Sequence, residues 1–192
     1  MLYSLQQLQA DVMARLGEIC PPLFSLPAAV VPGPAEVVAR KIESLLPEAG
    51  ERILREAPHE LLGGGVLMEA EVTMHRMPCG LYAGEVVISD DFQRLVSVKM
   101  SDWSRSALTL ILPGTSDWAR QWSPEPGIAG CPCCPRAYLD RQGEGLLLRV
   151  VGSDDSGATL EWLRGWCLPT PPAFHFPSQL YQSLINEIVA SL

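Results

Sequence analysis

Hydrophobic residues recur at three- and four-residue steps near both ends of the chain and at two-residue steps between them. Steps of three and four place side chains on one face of a helix, whereas steps of two place them on one face of a strand. The ends are therefore predicted to be helical and the middle to be β-structured. The predicted helical stripes are Leu5, Leu8, Val12 and Leu16; then Val38, Ile42, Leu45, Ala49, Ile53 and Leu54; and finally Leu180, Leu184, Ile188 and Leu192.

Glycine and proline predict where these helices begin and end. Gly17 is expected to end the first helix, and the proline-rich residues 20–34 are expected to form a loop. The second helix is predicted to begin near Pro34. Because Pro47 lacks the backbone N–H that a helix interior needs, we expect a kink there or two abutting helices. Pro177 and Ser178 are predicted to open the last helix.

The central alternation predicts a half-buried strand over residues 68–75, with Met68, Ala70, Val72 and Met74 on its apolar face. A short helical turn is expected at residues 116–121, with Ser116 as its N-cap. Strands that follow one another through short turns pair in antiparallel fashion. Further strands are predicted at 85–88, 95–100, 107–112, 136–139, 146–151 and 159–166, with turns at 78–80, 113–114, 142–143 and 153–157.

The order of these elements predicts an α+β fold, in which a small helical layer from both chain ends carries an inserted antiparallel β region. The Gly63-Gly64-Gly65 run is the expected hinge between them. We therefore divide the chain into an N-terminal helical segment (1–62), an inserted antiparallel β region (63–171) and a C-terminal helix that completes the helical layer (172–192).

Composition narrows the classes of function. The chain has 192 residues, of which 47% are hydrophobic and 19% charged, so it can bury a core. Its net charge of −8 disfavours tight nucleic-acid binding and adhesion to an anionic membrane, both of which need a basic surface. No signal-peptide pattern or membrane-length apolar run is visible. We expect a cytosolic chain with cysteines that remain thiols, and no membrane partner.

Catalytic motifs are missing from the sequence. It has no G-x-S-x-G elbow, no phosphate-binding P-loop and no H-E-x-x-H zinc motif. His59, His75 and His175 are far apart, and we interpret them as surface or hydrogen-bonded histidines. We therefore predict that the chain is not an enzyme and has no cofactor.

The most unusual local sequence is Cys131-Pro132-Cys133-Cys134-Pro135. A zinc site pairs one cysteine knuckle with a second knuckle or two histidines, and no second knuckle lies nearby. We predict a rigid structural turn and no metal. If a metal did bind, the candidate ligands would be Cys131, Cys133, Cys134 and His75. A small cytosolic α+β enzyme or metal-binding protein that uses this loop remains the alternative function.

The tryptophans are candidates for subunit contacts, because indole rings bury large areas and are enriched at protein interfaces. Packing in the core is the other interpretation of the same residues. The candidate interface residues are Trp103, Trp118, Trp122, Trp162 and Trp166.

Three stretches together resemble a known family. Residues 88–103 run ISDDFQRLVSVKMSDW, residues 118–121 run WARQ, and residues 127–139 run GIAGCPCCPRAYL. This pattern of an Asp-Phe-x-Arg-Leu strand entry, a short helix ending in Gln, a Gly-Pro-rich loop and another strand resembles virion proteins of tailed bacteriophages. The most similar class is the head–tail connector or tubular tail (gatekeeper) proteins of short-tailed phages. Those proteins also begin with a helix ending in Gly-Glu, here Gly17-Glu18, and close with a C-terminal helix.

The resemblance implies a structural role without catalytic residues. Connector subunits form rings, so it implies a homo-oligomer in the assembled particle, with portal or tail proteins as partners. It implies residence in the virion, and in the bacterial cytoplasm before assembly. Rings grow from heterologous interfaces that close by rotation, and an acidic lumen does not retain passing DNA.

Overall fold

The computed structural model describes residues 1–19, 34–142 and 145–192. The predicted loop at 20–34 lies outside them except for Pro34, as does half of the predicted turn at 142–143. The chain divides into a helical unit, Met1–Gly63 with Cys167–Leu192, and a β unit, Gly64–Trp166. The first division thus falls at the expected glycine run, and the second falls five residues before the expected one.

The described residues form helices and antiparallel and mixed sheets, as expected of an α+β fold. The strands are β1 (Leu2–Ser4), β2 (Val66–Met68), β3 (Val72–Arg76), β4 (Tyr82–Ile88), β5 (Phe92–Met100), β6 (Leu110–Ile111), β7 (Arg136–Gln142), β8 (Gly145–Ser153), β9 (Leu160–Cys167) and β10 (Ala173–His175). The α-helices are α1 (Leu5–Ile19), α2 (Pro34–Glu56), α3 (Pro126–Ala129) and α4 (Tyr181–Ser191), and 3₁₀ turns span His59–Leu61, Trp118–Trp122 and Ser178–Leu180. None of these helices has the length and apolarity that crossing a bilayer would require.

In the helical unit, α4 packs against both α1 and α2. The apolar stripes predicted from sequence supply the contact faces: Leu8 and Val12 from α1, Ile42 from α2, and Leu184 and Ile188 from α4 are completely buried. The two chain ends also meet in a small antiparallel sheet, in which β1 pairs with β10 and Tyr3 lies opposite Phe174. Both ends of the chain therefore build one helical layer.

Two helix boundaries differ from the sequence prediction. Gly17 lies inside α1, which continues to Ile19, because one glycine costs a helix only about 1 kcal/mol and does not stop it. Residues 34–56 form a single helix that includes Pro47, not two abutting helices. Leu46 before Pro47 and Ala49 after it are buried, so tertiary packing holds the helix through the proline.

In the described part of the β unit, two sheets share a main core. A three-stranded sheet has the order β2-β9-β5, and a five-stranded sheet has the order β3-β4-β8-β7-β6. Side chains from both sheets meet in the same hydrophobic cluster, which includes Phe92 and Val98 of β5, Leu148 of β8 and Leu163 of β9. A second, smaller cluster covers the other face of the five-stranded sheet and includes Tyr138, Val151 and Trp118.

Residues 68–75 do not form the single strand predicted. The chain leaves the three-stranded sheet after Met68 and joins the five-stranded sheet at Val72. All four predicted apolar residues nevertheless pack against the main core. The side-chain alternation therefore continues while the hydrogen-bond partner changes, because periodicity reports which face is buried and not which strand is paired.

The segment around β6 corrects two further predictions. The strand expected at 107–112 is reduced to Leu110–Ile111, and Ala107 forms an isolated bridge with Val98. β6 pairs with β7 in parallel, although only antiparallel pairing was expected. The long connection through the 3₁₀ turn and α3 brings the chain back in the same direction. Asp117, not Ser116, precedes that 3₁₀ turn, and it makes no side-chain cap.

Candidate functional site

The cysteine sequence folds into a tight hydrogen-bonded turn, which we call the cysteine turn (residues 131–134). The Cys134 N–H donates to the Cys131 carbonyl at 2.8 Å, and the Cys131 N–H donates to the Cys134 carbonyl at 3.3 Å. Pro132 suits this geometry because its ring fixes φ and removes a donor that the turn does not use. Gly130, with φ of +140°, leads from α3 into the turn. The tight turn predicted at these residues is therefore present, and its structural role stays a prediction.

The turn is attached to two neighbouring parts of the β unit. The backbone N–H and the hydroxyl of Ser104 both donate to the carbonyl of Pro132, each at 3.0 Å. On another side lies Gly152, where a β-carbon would be only 2.8 Å from the Cys131 carbonyl oxygen. Gly152 is also the extra residue of a bulge in β8, since Tyr82 pairs with Ser153 and Ala83 with Val151. The bulge thus provides the space in which the turn lies.

The three thiols have different surroundings. The sulfurs of Cys131 and Cys133 are 3.0 Å apart, and Arg105 Nη2 donates to the sulfur of Cys134 at 3.3 Å. Cys133 and Cys134 are exposed, whereas Cys131 is half-buried. The hydrogen bond from the Cys133 side chain lowers the pKa of Cys131, and the same contact raises the pKa of Cys133. Cys131 is therefore the member of the pair that loses its proton more readily.

The predicted candidate metal ligands do not assemble into one group. Within residues 1–19, 34–142 and 145–192, no cluster of three or more His, Cys, Asp or Glu side chains has an arrangement that could hold a metal ion. His75 lies on β3, where its Nε2 is 3.3 Å from a carboxylate oxygen of Glu85. Glu85 also pairs with Arg149 of β8. His75 thus lies beside the Glu85–Arg149 pair, and with 54% of its side chain exposed it is a surface histidine, one of the two interpretations made from the sequence.

Next to the cysteine turn, the Asp102-Trp103 dipeptide holds the end of β8. The Trp103 indole N–H donates to the hydroxyl of Ser153 at 3.1 Å, and this hydroxyl donates to Asp102 Oδ1 at 3.2 Å. Asp102 Oδ2 accepts the Asp154 backbone N–H at 2.9 Å. Together with Ser104, these residues join the strand end after β5 to β8 and to the cysteine turn. Sequence reasoning missed Ser104, Arg105 and Ser153; the polar run that follows β5 was a signal for Ser104 and Arg105 only.

The five tryptophans do not form one surface. Trp103 and Trp166 are each only 3% exposed, which corrects their prediction as interface residues: they are core residues of the folded chain. Trp118 packs edge-on against Tyr138, with ring centres 5.9 Å apart. Trp162 is half-buried beneath the Lys99 ammonium group. Trp122 is 53% exposed, with the Arg149 guanidinium 4.2 Å from its ring centre, and it is the tryptophan most available for contacts.

Four large hydrophobic side chains are exposed in the segment of residues 108–128, which includes the edge strand β6. We call Leu108, Leu112, Trp122 and Ile128 the edge surface; their exposed fractions run from 40% to 53%. Beside it, a pocket of about 380 Å³ is lined by Arg105, Leu108, Ile111 and Arg136, among others. Exposed hydrophobic side chains with arginines nearby are typical of protein contact surfaces.

The comparisons with known proteins add no assignment. No protein-family model, curated protein or solved structure matches the chain.

Proposed function

We propose that the chain is a structural subunit of a tailed-phage head–tail junction, a ring-forming head–tail connector that adapts the portal to the tail. The observation that carries the proposal is the edge surface, four large hydrophobic side chains exposed in the segment that includes edge strand β6. Exposed apolar side chains at a sheet edge promote aggregation of a free monomer. In a ring, the contact with the next subunit can bury them.

The residues in the stretches that resemble phage virion proteins have contacts that support the same proposal. Asp102 and Trp103 hold the end of β8, and the buried Gln121 donates to the Trp118 carbonyl at 3.1 Å within the 3₁₀ turn. Gly130 is needed where α3 meets the cysteine turn, since a β-carbon there would be 3.0 Å from the Val151 carbonyl oxygen. These residues therefore maintain the scaffold that presents the edge surface, as expected of a structural protein.

The charge of the chain fits a conduit for DNA. A net charge of −8 provides no excess of cations to displace counterions from phosphates. We expect no appreciable DNA affinity at physiological salt and no hydrolase activity. The alternative, a small enzyme or metal-binding protein that uses the cysteine turn, has less support, because the candidate ligand His75 lies beside Glu85 and no metal-ligand cluster forms among the described residues.

Reconstitution with the portal protein of the same phage genome tests the proposal. Electron microscopy of the mixture is expected to show an additional symmetric ring on the portal. Leu112→Asp is expected to weaken ring formation by about thirtyfold or more, because burying a carboxylate in an apolar contact costs at least about 2 kcal/mol. Leu67→Asp is the matched control: Leu67 is also exposed, but it lies on β2 of the three-stranded sheet and not in the segment that includes β6.

Mass spectrometry of purified virions can contradict the proposal. A virion protein of this class is present in every particle in a fixed small copy number. Virions of the parent phage that contain no copy of the chain would rule the proposal out. Equal loss of rings with Leu67→Asp and Leu112→Asp would instead reject the edge surface as the site of subunit contact.

A further inference from the structure

The cysteine turn has a chemical property that a purely structural turn does not need. The sulfurs of Cys131 and Cys133 are 3.0 Å apart, closer than two unbonded sulfur atoms normally approach, and the turn's backbone hydrogen bonds hold their main chain in place. Cys133 is exposed, so reagents in solution can reach the pair. Two thiols in this arrangement can exchange with a disulfide without a rearrangement of the fold.

We propose that Cys131 and Cys133 are a reactive dithiol site that a low-molecular-weight disulfide, such as oxidised glutathione, converts into an intramolecular disulfide. The thiolate of one cysteine attacks the external disulfide, which forms a mixed disulfide and releases one small thiol. The second cysteine then attacks the protein sulfur of that mixed disulfide and releases the second small thiol. The protein dithiol loses two electrons and two protons, and the small disulfide is reduced to two thiols.

The surroundings assign Cys131 as the attacking thiol and Cys133 as the resolving one. The hydrogen bond from Cys133, together with the nearby Arg105, favours the thiolate of Cys131. The contact that activates Cys131 also places Cys133 next to it, so the second step is intramolecular and outcompetes further reaction with solution thiols. Cys134 is the remaining thiol of the turn, and its sulfur contacts Arg105.

The site is independent of the proposed role in the virion, since it requires only the folded turn. To test it, the full reduced chain is incubated in native buffer with increasing ratios of oxidised to reduced glutathione. The reaction is then quenched in acid and analysed by intact mass and peptide mapping. We expect the wild type to lose two hydrogen atoms and to carry a bridge that maps to Cys131 and Cys133.

Two matched variants separate the steps. Cys133→Ser lacks the resolving thiol and is expected to accumulate the glutathione adduct on Cys131, at a level at least about tenfold above wild type. Cys134→Ser retains the pair and is expected to form the bridge as wild type does. Circular dichroism checks that both variants are folded. Stable adducts on the wild-type pair, or a bridge that is lost in Cys134→Ser, would overturn the proposal.

Discussion

The indole nitrogen of Trp103 donates a hydrogen bond to the hydroxyl of Ser153, 3.1 Å away, although fifty residues separate the two in sequence. Both side chains are buried, and the same hydroxyl donates to Asp102. A buried indole N–H without a partner would cost about 1–3 kcal/mol, so this contact fixes where the end of β8 lies. Because Ser104 follows directly and binds Pro132, the contact also positions the cysteine turn.

Ser153→Ala is therefore expected to lower the free energy of unfolding by about 1–3 kcal/mol, because it leaves the Trp103 N–H buried without a partner. Urea unfolding measures the change. In a double-mutant cycle with Trp103→Phe, the double variant should lose less stability than the sum of the two single variants. Ser156→Ala, at an exposed position in the following turn, is the control and should stay within about 0.5 kcal/mol of wild type. Strict additivity in the cycle would show that the hydrogen bond contributes nothing.

Gly50 in α2 lies directly against Pro169. A β-carbon at position 50 would be 2.2 Å from Cγ and 2.6 Å from Cδ of the proline ring. Gly50→Ala is therefore expected to destabilise the fold by about 1–3 kcal/mol, because overpacking outweighs the gain of about 1 kcal/mol in helix propensity. Thermal unfolding shows whether Gly50→Ala lowers or raises the stability of the fold.

Gly17 provides the matched control for Gly50. It also lies in a helix, but a β-carbon there would meet nothing within 4 Å. Gly17→Ala should thus stabilise the chain by up to about 1 kcal/mol. Combining Gly50→Ala with Pro169→Ala, which removes Cγ and Cδ of the ring, should recover part of the loss. Stabilisation by Gly50→Ala alone would contradict the close contact.

The sequence predicts which side chains are buried better than it predicts which strands are paired. The stripe in α4 and the alternation from Met68 to Met74 both face a core as expected. The alternation does not show that the chain passes from one sheet to the other between Met68 and Val72, because both strands face the same core. Hydrogen-bond partners are set by distant parts of the chain, and a periodicity does not record them.

The candidate site was predictable only in part. The cysteine turn follows from local chemistry, because the ring of Pro132 fixes φ near the value that the second position of a tight turn needs. Its contacts with Ser104, Arg105 and Gly152 are long-range, so no local pattern contains them. The burial of Trp103 and Trp166 could not be predicted from the sequence either, because an indole ring is common both in cores and at interfaces.

Leu184 tests whether α4 is an integral part of the helical unit. Its side chain is completely buried, so Leu184→Ala is expected to cost about 2–5 kcal/mol. Leu184→Asp should cost more, because it buries an unpaired charge. Ser183→Ala, one residue away on the exposed side of the helix, should change stability by less than about 0.5 kcal/mol. An unchanged melting temperature for Leu184→Asp would mean that α4 is a detachable arm.

The surroundings of Tyr181 indicate how the stability of the helical unit changes at alkaline pH. Its hydroxyl donates to Asp11 Oδ2 at 2.9 Å, and its ring stacks on Tyr3 with centres 4.0 Å apart. Burial, followed by the hydrogen bond to the Asp11 carboxylate, raises the pKa of Tyr181 well above its ordinary value. Burial raises the pKa of Tyr3 and of Tyr138 in the same direction. The folded state therefore favours neutral tyrosine.

The sign of the pH dependence follows from this shift. The unfolded chain releases the Tyr181 proton near pH 10, whereas the folded chain retains it to higher pH. The stabilisation is thus complete below about pH 10 and is lost as pH rises from there toward the folded-state pKa. Urea midpoints between neutral pH and about pH 11 should show this decline. Tyr181→Phe should be less stable at neutral pH by about 1 kcal/mol, through loss of the hydrogen bond, and should show a shallower alkaline decline. Tyr3, Tyr138 and Cys133, whose pKa values are also raised, contribute to the residual slope. An alkaline slope as steep as that of wild type would show that Tyr181 does not contribute.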